Sequence, residues 1–276
     1  MFKRYVRKEF IREWYPRIVE ILQLNPKEDK KAALLLEKTA ENLLLDLNAI
    51  EEKLSSKPSL IVGAGPSLPL DLRQAISSGL TKKVNIIAAD GAANALLEAG
   101  LTPDAIVTDL DGLAPEDLAK IPEKTLIVIH AHGDNQDKLS SLKLKRKIVG
   151  TAQVDPPPKL HNFGGFTDGD RAVFIVEAIC SPIIFLAGMD LGEIIGKYSK
   201  PWLKNDVPAD RRKKLKLFIA KKLLEWLALK TPIPIYNLTT LGREINGVPR
   251  ISFEEAVKMT SNLGLKFVEA FPGHLP

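Results

Sequence analysis

Hydrophobic positions fall into two regimes along the chain. Val6, Phe10, Trp14, Ile18 and Leu22 are spaced four apart, which predicts an apolar stripe on one helix face. Pro16 interrupts that run. Leu35, Leu36, Leu43, Leu44, Leu47 and Ile50 continue the helical pattern from Ala32 to Leu54, and Ser55-Ser56-Lys57-Pro58 makes a polar break. Residues 1–57 therefore read as an N-terminal helical appendage, and residues 58–276 as the main domain.

Beyond the break the pattern changes to short, uncharged apolar runs. They are Leu60–Val62, Val84–Ala88, Ala105–Val107, Leu126–Ile129, Lys147–Val149 (led by its one charge), Ile183–Ala187 and Ile233–Tyr236. Continuous β-branched and aliphatic runs are the signature of strands buried on both faces of a parallel sheet. Helical segments are predicted between most of them, near Leu68–Ser77, Ala92–Ala99, Asn135–Leu142, Arg171–Cys180 and Leu215–Leu229. The alternation predicts a doubly wound, mostly parallel open α/β sheet, whose ligands would sit at the carboxyl ends of the strands.

Composition narrows the function classes. With 45% hydrophobic and 26% charged residues, 18 Gly and 19 Pro, disordered and fibrous classes are excluded. No apolar run approaches the roughly 20 residues of a membrane-spanning helix, and MFKRYVRKEF lacks the apolar stretch of a secretory signal. A soluble, cytoplasmic protein without a membrane partner is expected, and a homo-oligomer is compatible with that. Cys180, the one cysteine, lies in an apolar stretch and reads as a small core residue. Lys and Glu richness beside four Gln and three Met points to a thermophilic source.

The net charge of +5 is too mild to predict a nucleic-acid partner, but its distribution is uneven. Lys197–Lys230 holds 11 basic and 3 acidic residues, which suits an anionic ligand or a solvated helix face. Arg211, Arg212, Lys213 and Lys214 open a predicted helix, at the end where the macrodipole disfavours cations. The long segment before it, Gly188–Asp210, reads as a lid.

The chemistry concentrates at predicted strand ends. The first strand runs into Gly63-Ala64-Gly65-Pro66-Ser67, where glycines let the backbone approach a ligand and a helix start attracts anions. Leu68 occupies the place of the third glycine of the dinucleotide fingerprint, so a nicotinamide or flavin cofactor is not expected. Later strands end in Asp90-Gly91-Ala92-Ala93-Asn94, in Asp109-Leu110-Asp111-Gly112 and in His130-Ala131-His132-Gly133-Asp134-Asn135. A single Asp there is usually a cap or turn former. Asp90, Asp109, Asp111 and Asp134 on one rim call for a cation, and oxygen ligands beside phosphate suit Mg2+. His130 and His132 have only His161 and His274 as companions and no cysteine pair, so zinc is not expected. Gly192–Ser199 imitates a phosphate-binding P-loop, but the glycine spacing is one short and Tyr198 follows the lysine. A last cluster, Phe163-Gly164-Gly165-Phe166-Thr167-Asp168-Gly169-Asp170-Arg171, opens a helix. Its aromatics could stack on a planar ring, and a Thr or Asp cap accounts for only part of it.

The segment Asp90–Asn94, Gly100, Pro103-Asp104 and Thr108-Asp109-Leu110-Asp111-Gly112 resembles the nucleotide-binding half of thiamine pyrophosphokinases, with Thr108 for a glycine and Gly112 for a serine. Over about residues 40–260 the chain looks more like the archaeal 6-hydroxymethyl-7,8-dihydropterin pyrophosphokinases. The shared motifs are Gly63–Ser67, Asp90–Asn94, Asp109 with Asp111, His132–Asn135, Gly165–Arg171 and Ala187–Asp190. The same domain type is similar to glycosyltransferases of flagellar modification, so fold alone leaves the reaction open.

The pterin resemblance implies an ATP- and Mg2+-dependent diphosphotransferase of folate or methanopterin-type biosynthesis. On it, Asp109 and Asp111 would hold Mg2+, with Asp90 or Asp134 completing the shell. Gly63, Gly65, Ser67 and Asn94 would bind ATP, with Arg211 and Arg212 attracting it. Arg171 would sit near the β-phosphate, and Asp134 would be a candidate general base. Phe163, Phe166, Asp168 and Asp170 would contact the pterin, Asp168 accepting its amine and ring N–H. A sugar-nucleotide transferase using the Asp109–Asp111 pair, and an ATP sensor without catalysis, are the rival readings.

Overall fold

Seven of the apolar runs form one parallel sheet in the computed structural model, which describes residues 2–113, 115–118, 120–143 and 145–270. In chain order its strands are β1 (Ser59–Val62), β2 (Asn85–Ala89), β3 (Ala105–Thr108), β4 (Leu126–Ala131), β5 (Ile148–Ala152), β6 (Ile184–Ala187) and, after a small ribbon of β7 (Ile194–Ile195) and β8 (Val207–Pro208), β9 (Ile235–Asn237). They lie side by side as β5-β4-β3-β2-β1-β6-β9. Every residue of β1 to β6 is buried, as uninterrupted apolar strands require.

The order dictates where a ligand can bind. From β1 the chain steps outward to β5, then returns to place β6 on the other side of β1, with Ser59–Val62 paired to both Asn85–Ala88 and Ile184–Ala187. Neighbouring connections diverge at that point, leaving a crevice beyond the carboxyl ends of β1 and β6.

The helices are α1 (Tyr15–Leu22), α2 (Pro26–Thr39), α3 (Leu47–Leu54), α4 (Leu68–Ser77), α5 (Ala92–Glu98), α6 (Pro115–Leu118), α7 (Gln136–Ser140), α8 (Asp168–Ala178), α9 (Arg211–Lys230) and α10 (Phe253–Ala270). The return from β5 to β6 runs through α8, which packs on β1, β2, β3 and β6. Pro16 does not break the N-terminal helix. A π-helical turn at Phe10–Trp14 leads into α1, and Pro16 sits in the first turn, where a missing N–H costs nothing. Phe10, Ile18, Leu36 and Ile50 join the same hydrophobic core as the sheet, and α2 packs against β4, β5 and α7.

Two expectations change. Cys180 is exposed, because α8 has just ended and Cys180 turns left-handed (φ 59°) beyond its C-cap. The segment Gly188–Asp210 is folded as the β7–β8 ribbon and tied down by its side chains, Tyr198 Oη donating to Glu98 at 2.6 Å. Among the described residues no helix is long and apolar enough to cross a membrane. His274 lies outside them.

Candidate active site

Three carboxylates meet above the sheet. Asp90 directly follows β2, Asp109 directly follows β3 and Asp168 opens α8, and one carboxylate oxygen of each lies within 4.8 Å of the others. Local backbone conformation aims them. Asp90 is left-handed (φ 49°), a conformation that Asp tolerates better than most residues. Leu110 (φ 69°) turns the chain sharply between Asp109 and Asp111. The hydroxyl of Thr108 donates to Asp90 at 2.7 Å and accepts from the N–H of Leu110 at 2.8 Å. Gly112 is required below, since a Cβ there would stand 2.2 Å from an Asp90 oxygen.

The three ionise unequally. Burial and the neighbouring Asp109 push Asp90 up to about 7. Burial and the charges of Asp109 and Asp90 hold Asp168 well above the usual carboxylate range. Burial works the same way on Asp109, but His132 and the charge of Lys200 outweigh it and bring Asp109 far below that range. The N–H of Asp134 donates to Nδ1 of His132 at 3.3 Å, which leaves Nε2 to carry the proton toward Asp109, 3.4 Å away. Three carboxylates so close, with burial and mutual repulsion raising two of them, are what a hard divalent cation would relieve.

Two cavities flank this cluster and share Asp109, Phe166, Asp168, Arg212 and Lys216. The larger, about 310 Å³, lies over the β1–β6 crevice, bounded by Gly63, Gly65, Gly188, the ribbon, Lys200 and Lys213. Burial, then the charges of Lys200 and Lys216, push the Lys213 ammonium down, so these cations crowd one another. The smaller, about 220 Å³, lies between α2 and the ends of β4 and β5, with Asp29, His130, Gln153 and Asp134 in its wall.

The structure redistributes the residues singled out in the sequence. Asp111 stands outside the carboxylate trio and is paired with Lys138 and, at 2.9 Å, with Lys200. Gly63 and Gly65 line the larger cavity, but their N–H groups are bonded to Ala187 O and Gly188 O, and the Ser67 N–H goes to Asp190. The loop therefore offers close backbone approach rather than those three donors. Ser67 is buried, its hydroxyl on Asp190 at 2.6 Å. Asn94 and Arg211 line neither cavity, whereas Arg212 lines both.

In the Phe163–Arg171 cluster, Phe166 reaches both cavities. Phe163 is stacked in the core between Tyr5 and His161, at 5.2 and 5.3 Å. Asp170 is fully buried and accepts from the N–H groups of Phe166 and Thr167, both at 2.7 Å, and from the Thr167 hydroxyl. Arg171 is buried beneath the loop, bonded to Gly164 O and Phe166 O at 3.2 Å, and lines neither cavity. Sequence reasoning missed Asp29 and Gln153, and held Lys200, Lys213 and Lys216 only as members of a basic block. Asp29 reads locally as an acidic residue in a helix's first turn, and nothing in its neighbours marks it further.

The family model described as 6-hydroxymethylpterin diphosphokinase MptE-like matches residues 34–196. A protein of Pyrococcus furiosus named 6-hydroxymethyl-7,8-dihydropterin pyrophosphokinase is 45% identical over 222 residues, 78% of this chain and 93% of that protein. One of the same name from Methanothermobacter thermautotrophicus is 41% identical, over 78% of this chain and 92% of its own. Among solved structures, a MAf glycosyltransferase from Magnetospirillum magneticum aligns with a TM-score of 0.52 at 17% identity, over 79% of this chain and 38% of that one, a likeness of fold alone. By its match to the family model and by its archaeal relatives, this chain belongs to the 6-hydroxymethyl-7,8-dihydropterin pyrophosphokinase family.

Proposed function

We propose that the chain transfers diphosphate from ATP to 6-hydroxymethyl-7,8-dihydropterin, giving the pterin diphosphate and AMP. The observation that carries this reading is the pair of cavities meeting at one carboxylate rim. Two substrates and one transferred group need that arrangement, because most of the rate gain in phosphoryl transfer comes from alignment and charge neutralisation.

Nucleotide fits the larger cavity. Glycines over the β1–β6 crevice leave room for it, and Arg212, Lys200, Lys213 and Lys216 would face its phosphates. Pterin fits the smaller one, with Phe166 at the boundary as a stacking surface. Asp90, Asp109 and Asp168 would hold Mg2+, with Asp111 close by but engaged by lysines. The ion would supply charge neutralisation at the β- and γ-phosphates. Thr108 and His132 orient the carboxylates, and the basic groups around the rim bind the polyphosphate. Asp134, exposed and lining the smaller cavity, is the candidate acceptor of the hydroxymethyl proton.

The test is direct. Protein, ATP, Mg2+ and the pterin should yield AMP and pterin diphosphate in equal amounts. AMP release that ignores the pterin, or requires a different acceptor, would overturn the assignment.

A further inference from the structure

Among the described residues, Lys200 alone of the larger cavity's lysines forms an ion pair. Its Nζ lies 2.9 Å from Asp111 Oδ2, while Oδ1 of the same carboxylate takes Lys138. Lys138 also donates to Leu110 O at 3.0 Å and lines neither cavity. One lysine thus ties Asp111 to its own turn, and the other is held over the nucleotide space. Both Asp111 and Lys200 are partly exposed, where an ion pair adds little to stability. Position, more than stability, is what such a pair supplies.

The backbone delivers Lys200 just as firmly. It follows a 3-10 turn at Lys197–Ser199, and that turn is wedged onto the strand-end loops. A Cβ at Gly196 would stand 2.6 Å from the Gly65 carbonyl carbon, and one at Gly91 would run into the Tyr198 carbonyl. The ammonium so placed acts electrostatically on Asp90, Asp109 and Asp168. Asp109, Asp168, Arg212 and Lys216 line both cavities, whereas Lys200 lines the larger alone. Lys200 therefore meets the carboxylate rim from the nucleotide side only.

We propose that Lys200 is a catalytic residue on the leaving-group side, held there by Asp111 as a positioning residue. The inference deepens the diphosphate-transfer reading and rests on it. In that reaction the hydroxymethyl oxygen bonds to the β-phosphorus, its proton going to a base such as Asp134. The bond from that phosphorus to the α,β-bridging oxygen breaks, and the oxygen leaves on AMP with the electron pair. Negative charge grows on the α-phosphate, on the nucleotide side. A fixed ammonium there stabilises the transition state more than it stabilises bound ATP.

The experiment compares Lys200→Met, Asp111→Asn and the double variant in the kinetics of AMP formation. The unreactive α,β-methylene-ATP is titrated into each at several Mg2+ concentrations. Lys200→Met should lower kcat about 100-fold and analogue affinity no more than about fivefold, with Lys200→Arg recovering part of kcat. Asp111→Asn should lower kcat about fivefold and leave the Mg2+ dependence of analogue binding unchanged. In the Lys200→Met background the same change should cost less than about twofold, because the group it positions is gone. A Lys200→Met variant that keeps kcat, or whose loss lies wholly in analogue affinity, would overturn the catalytic role. An undiminished Asp111 effect in that background, or a raised Mg2+ requirement, would overturn the positioning role. Wild type that forms no AMP from ATP and the pterin would overturn the underlying reaction instead.

Discussion

At the scale of single residues, the carboxylate trio invites a comparison of isosteric changes. Asp109→Asn and Asp168→Asn each remove a charge and keep side-chain shape. Either should lower kcat/KM for AMP formation at least tenfold, a loss of about 1.4 kcal/mol or more in transition-state stabilisation. Asp111→Asn should cost less, because Asp111 faces Lys138 and Lys200. An Asp111 effect equal to that of Asp109 would return Asp111 to the metal set. His161 sets a pH limit on stability. Its Nδ1 accepts the Tyr5 N–H at 3.1 Å, its Nε2 is buried without a partner, and burial pushes its pKa down to about 4. The folded state therefore binds this proton less readily than the unfolded chain, whose histidine titrates near 6.5. The stabilisation is complete above 6.5 and drains away as pH falls toward 4, by about 2–3 kcal/mol. In His161→Phe, denaturation midpoints between pH 6.5 and 4.5 should fall less steeply than in wild type, and parallel profiles would remove His161 from that role.

At the scale of elements, the crevice depends on two loops in contact. The turn after β1 lies on the turn after β6, and a Cβ at Gly63 would stand 2.6 Å from Gly188 O and 2.7 Å from the Met189 sulfur. Gly188 itself is left-handed (φ 63°). Gly63→Ala should cost about 1–3 kcal/mol on denaturant unfolding and weaken ATP binding, and an unchanged midpoint would mean that the loops separate freely. The start of α9 offers a second comparison. Asp210 caps it, accepting the Lys213 N–H at 2.7 Å, which offsets part of the unfavourable cationic first turn. Arg212 reaches both cavities and Arg211 neither. Arg212→Ala should raise KM for ATP several-fold and flatten its salt dependence, with Arg211→Ala close to wild type. Equal effects would make the cluster a diffuse field rather than a contact.

At the scale of the whole molecule, the N-terminal helices bear on stability as well as on the site. A division near residue 57 predicts that residues 58–276 fold alone. Yet Phe10, Ile18, Leu36 and Ile50 lie at 0–1% exposure within the core that includes the sheet. Removing them uncovers the apolar partners on β4 and β5, at about 25 cal/mol per Å² of apolar surface. We expect a chain beginning at residue 58 to aggregate or to melt without cooperativity. A soluble, cooperatively folding 58–276 would instead establish an independent catalytic domain.

Periodicity alone was enough to locate all seven sheet strands and to place α4 at Leu68–Ser77, because a buried parallel strand and an amphipathic helix each write a local pattern. Asp90 and Asp109 were likewise legible as strand-end residues. What the sequence could not show is which distant positions become neighbours. Asp168 meets Asp90 only because α8 carries the chain back from the edge strand β5 to the side of β1. Asp29 enters the smaller cavity because α2 packs beside β4 and β5. Arg171, Phe163 and Asp170 had the chemistry of a site, and packing turned them inward to hold its loop. Local spacing fixes which elements form and which face each residue occupies. Burial and company follow from how those elements pack, and here the packing chose the carboxylates and the cavities that meet at them.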